Sequence, residues 1–187
     1  MISVPIVFDI DGVLADTKDL VHEAYRRCGV TVPPGAWGKP WTDWLPDMCK
    51  TYENAQKIHD MKTAMYLEML DRVKPLPMCD VAKELVEVAP HYVLFITSAR
   101  KTTAQGILEH LGLPVGHLLG AEFNTYEKMM HLKITSSAGV YVDDNLEAGA
   151  QVVAPLENWT LIAYDGGDYN VLDILSFANE AQQRTET

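Results

Sequence analysis

Asp9 and Asp11 stand two residues apart at the end of an apolar run, Val4-Pro5-Ile6-Val7-Phe8, and Gly12 follows them. The run is rich in β-branched and aromatic residues and reads as a buried strand. Pro5 fits only near its start, where a missing N–H costs least. Side chains at i and i+2 of an extended chain share a face, so both carboxylates point the same way from the end of the strand. Gly12 lets the backbone turn tightly beneath them. Two like charges about 4 Å apart repel by about 4 kcal/mol at an effective dielectric of roughly 20. A hard cation with oxygen ligands would offset that repulsion. A lone strand-end Asp is more often a solvated turn, so the chemistry depends on further pieces downstream.

Three such pieces follow. Leu94-Phe95-Ile96 is a second apolar run, ending at Thr97-Ser98. A hydroxyl and backbone N–H groups at that place can hold phosphate oxygens, although taken alone they read as a helix cap. Lys128 opens the turn Met129-Met130-His131-Leu132, and Lys133 follows five residues later. A surface lysine is usually only solvated. At the start of a helix beside strand ends it can neutralise anionic groups, which favours Lys128 and keeps Lys133 as the alternate. Val140-Tyr141-Val142 ends at a second acidic pair, Asp143-Asp144, followed by Asn145. That pair supplies the further oxygen ligands a Mg²⁺ ion takes. As a purely local feature, Asp144 or Asn145 would cap the next helix.

The elements that must position these residues alternate along the chain. Helices are predicted over 17–28, closed by Gly29, over part of 41–50, and over 53–73 with Ile58, Met61, Met65, Leu67, Met69 and Leu70 as its apolar surface. Pro75 and Pro77 end the last of these. Then come helix 80–89, strand 91–96, helix 102–111 closed by Gly112, a weak strand 117–121, helix 125–132, strand 139–142, helix 145–153, strand 159–164 and helix 170–179. The tail after Phe177, ending Gln182-Gln183-Arg184-Thr185-Glu186-Thr187, reads as frayed. Alternating strands and helices imply an α/β protein with a parallel sheet. Sites on such sheets lie at the carboxyl ends of strands, where Asp9, Asp11, Thr97, Ser98, Asp143 and Asp144 all fall. Residues 17–74 contain no evident strand and read as a small helical cap inserted after the first strand.

In order and place, these four pieces resemble the motifs of the haloacid dehalogenase superfamily of phosphoryl-transfer enzymes. The first is the string D-I-D-G-V-L-A-D-T from Asp9 to Thr17. The resemblance covers nearly the whole chain. The insertion between the first and second motifs is similar to the helical-cap subgroup with phosphoglycolate phosphatase-like and beta-phosphoglucomutase-like members. It implies a five-stranded, doubly wound parallel core over residues 1–16 and 75–187, and a cap over 17–74. It further implies Asp9 as a nucleophile that becomes an aspartyl phosphate, and Asp11 as the general acid and then base. Thr97 and the Ser98 amide would hold phosphoryl oxygens, and Lys128 would balance charge. Asp9, the Asp11 carbonyl and Asp144 would ligate Mg²⁺, with Asp143 acting through water or orienting the lysine. Many relatives carry a further Asp one helical turn on, where this chain has Ala148 with Glu147 beside it. Gly38-Lys39-Pro40-Trp41-Thr42-Asp43-Trp44 resembles the specificity loop of helical-cap members. There Lys39 would meet a second anionic group and Trp41 would pack on a sugar or base, or else the tryptophans serve as cap core.

The implied activity is Mg²⁺-dependent hydrolysis of small phosphomonoesters. Nucleoside-monophosphate hydrolysis and phosphomutase chemistry are close variants on the same scaffold. A metal-independent dehalogenase would have no use for Asp11, and a phosphonate hydrolase would need a cap lysine such as Lys39 for a Schiff base. A catalytically silent phospho-ligand-binding module would be expected to lack a motif residue, and none of the core set is lost. At 187 residues and a net charge of −11, the chain is long enough for one core and ill suited to nucleic acid, whose binding needs Lys and Arg. The resemblance implies instead a small phosphorylated metabolite or nucleotide as partner. Cys28, Cys49 and Cys79 form no Cys-x-x-Cys pair, which implies a reducing cytoplasm. No basic leader precedes the first strand and no apolar run has membrane-spanning length. The six histidines show no metal-ligand spacing and read as surface or packing residues.

Overall fold

The computed structural model describes residues 4–185. In chain order the elements are β1 (Ile6–Asp9), β2 (Ala15–Asp16), α1 (Lys18–Arg27), α2 (Leu45–Cys49), α3 (Tyr52–Leu67), β3 (Lys74–Pro75) and α4 (Pro77–Val88). They continue with β4 (Val93–Ile96), α5 (Lys101–Leu111), β5 (Leu118–Leu119), α6 (Thr125–Thr135), β6 (Ala138–Asp143), α7 (Leu146–Val153), β7 (Asn158–Ala163) and α8 (Val171–Gln183). The chain divides into two compact units, one running to Asp16 and resuming at Pro75, the other Thr17–Lys74.

In the first unit, five parallel strands form a sheet in the order β5-β4-β1-β6-β7. This is the α/β, parallel architecture that the alternating pattern predicts. β1 lies in the middle, so Ile6, Val7 and Phe8 have no solvent exposure. Burying each contributes about 1.5–3 kcal/mol. Register sets the positions that matter. Asp9 pairs with Ile96 and Phe8 with Val142, so Thr97 and Asp143 leave the sheet on either side of the end of β1. Gly139 is required by its neighbour: a Cβ there would stand 2.6 Å from the Trp159 ring, the residue opposite it on β7. Helices bury single stripes, as Ala104, Ile107, Leu108 and Leu111 do in α5.

Several boundaries differ from the sequence pattern. α4 starts at Pro77, because Pro is tolerated at the first helical position, where no N–H is needed. Pro90–Tyr92 forms a 3₁₀ turn, leaving β4 to begin at Val93. α6 runs three residues past Leu132 and starts at a reciprocal cap between Asn124 and Glu127. α8 continues through the stretch expected to fray, because Ala178 and Ala181 are buried. The part of that tail at Glu186 and Thr187 lies outside the described residues.

The second unit, Thr17–Lys74, has only helices as its regular elements apart from Lys74 in β3, with turns and irregular chain over 28–40. Tyr25, Val30, Leu45 and Ala55 form its centre, with Val21, Val32, Trp41, Trp44, Cys49 and Ile58 packed around them. α3 buries a different face from the one predicted. Met61 and Leu67 are exposed, while Ala55, His59, Thr63 and Tyr66 point inward. Two of the inward polar groups are bonded: the Tyr25 hydroxyl lies 3.1 Å from His59 Nδ1, and Thr63 Oγ1 donates to the His59 carbonyl. α3 also stops at Leu67, and the chain folds back through a 3₁₀ turn at Leu70–Arg72 that lets Met69 and Val73 be buried.

Candidate active site

Two neighbouring strand ends bring the acidic residues together. Asp9 is the last residue of β1 and Asp143 the last of β6. One carboxylate oxygen each from Asp9, Asp143 and Asp144 falls within 4.8 Å of the others. Asn145, not Asp144, caps α7 by accepting from the Ala148 N–H. Asp143 is held in turn, its Oδ1 accepting from the Asn145 N–H at 2.8 Å.

The second and third motifs join the same place. Thr97 Oγ1 donates to Asp11 Oδ2 at 3.1 Å and accepts from the Ala99 N–H at 3.0 Å. Lys128 Nζ donates to the Thr97 carbonyl at 2.7 Å and is only 8% exposed. Lys133, five residues along α6, is exposed. Ser98 is exposed beside Thr97. Glu122, in the loop before α6, acts on the Lys128 charge. No spacing rule singles it out in the sequence. In the Thr17–Lys74 unit, Lys39 is exposed and Trp41 is half-buried, stacked on His59 with ring centres 4.7 Å apart. Trp41 is thus part of that unit's packing.

Crowded carboxylates make protonation favourable. Loss of hydration is the largest cause raising the Asp9 pKa well above the ordinary carboxylate value, followed by the charges of Asp143, Asp11 and Asp144. Burial also raises that of Asp143. Asp144 is pushed up to about 6, by burial and then by Asp143. Burial lowers the Lys128 pKa, against the opposing pull of Asp9 and Glu122. Such concentrations of strained ionisation mark functional sites.

The donor set fits a hard divalent cation. It is all oxygen, with no His or Cys among the three clustered residues, as Mg²⁺ requires. A cation at this point would stabilise the ionised carboxylates that burial disfavours and offset the mutual repulsion acting on Asp9 and Asp144.

Gly12 allows the cluster to close. Its φ is +86°, and a Cβ there would lie 2.2 Å from Asp144 Oδ2. Gly12→Ala therefore meets both backbone strain, about 1 kcal/mol, and a clash with a short side chain that can only swing away. The expected result is a lower melting temperature together with at least about tenfold weaker divalent-metal binding, read by scanning fluorimetry and calorimetric titration. Unchanged metal affinity would show that Asp144 does not bind from this position.

No family model matches this chain, and no curated protein does. Solved structures do match it. A hydrolase of Entamoeba histolytica, described as a HAD hydrolase of family IA, variant 3, aligns with a TM-score of 0.70 at 13% identity, over 96% of this chain and all of its own. A variant of CbbY from Rhodobacter sphaeroides, in complex with xylulose-(1,5)bisphosphate, aligns with a TM-score of 0.70 at 15% identity, over 95% and 96%. A haloacid dehalogenase-like hydrolase of Streptococcus pneumoniae aligns with a TM-score of 0.63 at 16% identity, over 93% and 90%.

Proposed function

We propose that this chain, which has the haloacid dehalogenase-like hydrolase fold, is a Mg²⁺-dependent phosphatase of small phosphomonoesters that works through an aspartyl phosphate. The observation carrying this reading is the meeting of Asp9, Asp143 and Asp144 within 4.8 Å, with Asp11 and Lys128 both bonded to Thr97 beside them. Asp9 is the nucleophile. Its carboxylate oxygen forms a bond to phosphorus as the bond to the leaving oxygen breaks. Asp11 gives that oxygen a proton and afterwards takes one from the water that hydrolyses the acyl phosphate. Thr97 and the Ser98 N–H hold phosphoryl oxygens, and Lys128 offsets their charge. Asp9, the Asp11 carbonyl and Asp144 would hold Mg²⁺, with Asp143 close by. When bound, the ion supplies the positive charge that lets a carboxylate approach an anionic phosphate.

The Thr17–Lys74 unit is assigned as a cap that selects the substrate. Its exposed Lys39 would meet a second anionic group, and Trp41 would offer a ring edge to a sugar or base. The CbbY neighbour, solved with a sugar bisphosphate, supports a small phosphorylated metabolite as the substrate class. A cytoplasmic location belongs to the same proposal and rests on the three thiols, none of which is in a disulfide. Among the described residues, no helix is long and apolar enough to cross a membrane.

The test is release of phosphate from a generic aryl phosphate by the purified protein, with Mg²⁺ and with chelator. No metal-dependent release would refute the proposal. The two lysines give a sharper comparison. Lys128→Ala should lower kcat/KM by about a hundredfold or more, the scale of losing one buried charge-stabilising donor, while Lys133→Ala should stay within about twofold. Similar mild effects would remove Lys128 from the mechanism.

A further inference from the structure

Tyr141 lies on β6 two residues before Asp143, so the two side chains leave the same face of the strand. It pairs across the ladder with Val7, two residues before Asp9 on β1. The same alternation therefore places Tyr141 beneath both carboxylates. Its ring is 3% exposed and belongs to the same buried cluster as Val7, Leu132, Val152 and Trp159. The Tyr141 hydroxyl engages the Asp143 carboxylate. Asp143 is confined on two further sides. The Asn145 N–H holds Oδ1, and α7 packs so closely that a Cβ on Gly149 would stand 3.2 Å from Oδ2.

We propose that Tyr141 is a positioning residue for the metal site, its hydroxyl holding Asp143 against the repulsion of Asp9 so that the acidic cluster stays assembled for a divalent cation. The proposal rests on the metal-binding part of the phosphatase reading of the site. A phenol suits the task because its rigid ring carries one donor at a set height above the sheet, where a flexible side chain would let the carboxylate turn. Groups that orient metal-ligating side chains typically change metal affinity by about 10–100-fold when removed.

The test is Tyr141→Phe, which keeps the ring and deletes the donor. Calorimetric titration of Mn²⁺ into chelator-treated protein should show about tenfold weaker binding. The Mg²⁺ concentration for half-maximal aryl phosphate hydrolysis should rise by the same factor. At saturating Mg²⁺, kcat and the substrate KM should stay within about twofold, because the role assigned to Tyr141 is to hold Asp143 for the metal and not to act on phosphorus. A lowered melting temperature with unchanged Mn²⁺ affinity would make Tyr141 a packing residue and overturn the proposal. If the variant does not fold, wild-type protein labelled at the tyrosine Cζ carbons still decides. Mg²⁺ should shift one of the eight tyrosine resonances, and no shift overturns the proposal. Mn²⁺ binding by the wild type without phosphate release would instead defeat the phosphatase reading and leave the role of Tyr141 standing. Absence of Mn²⁺ binding to the wild type defeats both.

Discussion

Replacing Asp9 by asparagine is expected to cut phosphate release by at least about a thousandfold, the scale of losing a nucleophile, while making the metal-free protein harder to melt. The two effects have one cause. Asp9 sits where ionisation is disfavoured, chiefly by loss of hydration and then by Asp143, Asp11 and Asp144. A carboxylate kept there weakens the fold. A neutral amide of nearly the same shape removes that repulsion but cannot form an acyl phosphate. Activity should vanish as the melting temperature in chelator rises. This opposition matters because ordinary structural damage moves both quantities downward. An Asp9→Asn variant that melts lower and keeps activity would show that Asp9 neither suffers the repulsion nor attacks phosphorus.

Metal removal should act just as strongly, and its effect should depend on pH in a fixed direction. Asp9 and Asp143 have folded-state pKa values raised above the ordinary carboxylate value, and that of Asp144 is about 6. The folded, metal-free protein therefore binds more protons than the unfolded chain across the range between those values. Its stability must fall as pH rises through that window. A divalent ion occupies the same oxygens and replaces the protons, so it stabilises most where the carboxylates are ionised. At a free metal concentration of roughly 100 Kd the gain is about 2.7 kcal/mol. For a chain of this length that corresponds to about 5–10 °C in melting temperature. The difference between Mg²⁺ and EDTA samples should be large above about pH 7 and shrink below about pH 5, as protons compete for the site. Activity should be abolished by EDTA throughout. A stability gain that does not depend on pH would place the metal elsewhere.

The parts of the fold legible in the sequence are those where one physical signal dominates. β1, β4 and β6 are short runs of buried apolar residues that break at polar ones, and burial leaves such runs little alternative to a strand in mid-sheet. The acidic pairs were legible for the same reason, since a polar residue ending an apolar strand is conspicuous. The buried face of α3 differs from the apolar one because it carries His59, Thr63 and Tyr66. His59 and Thr63 find hydrogen-bond partners inside the unit, which hydrophobic periodicity does not register, while Met61 and Leu67 face solvent. α8 outran its predicted end because Ala178 and Ala181 are small and give little hydrophobic signal, yet they pack. The choice between Lys128 and Lys133 needed three dimensions, since both are lysines on one helix and only one reaches the Thr97 carbonyl. The placement of Tyr141 is itself legible in the sequence, because it shares the strand face of Asp143 by simple alternation.

The most direct measurement is mass spectrometry of the protein quenched in acid during turnover of a phosphomonoester. A phosphoryl group should be found on the peptide containing Asp9, labile to hydroxylamine as acyl phosphates are, and missing from Asp9→Asn. Continued turnover with that peptide never modified would mean that water attacks phosphorus directly and that Asp9 serves some other purpose.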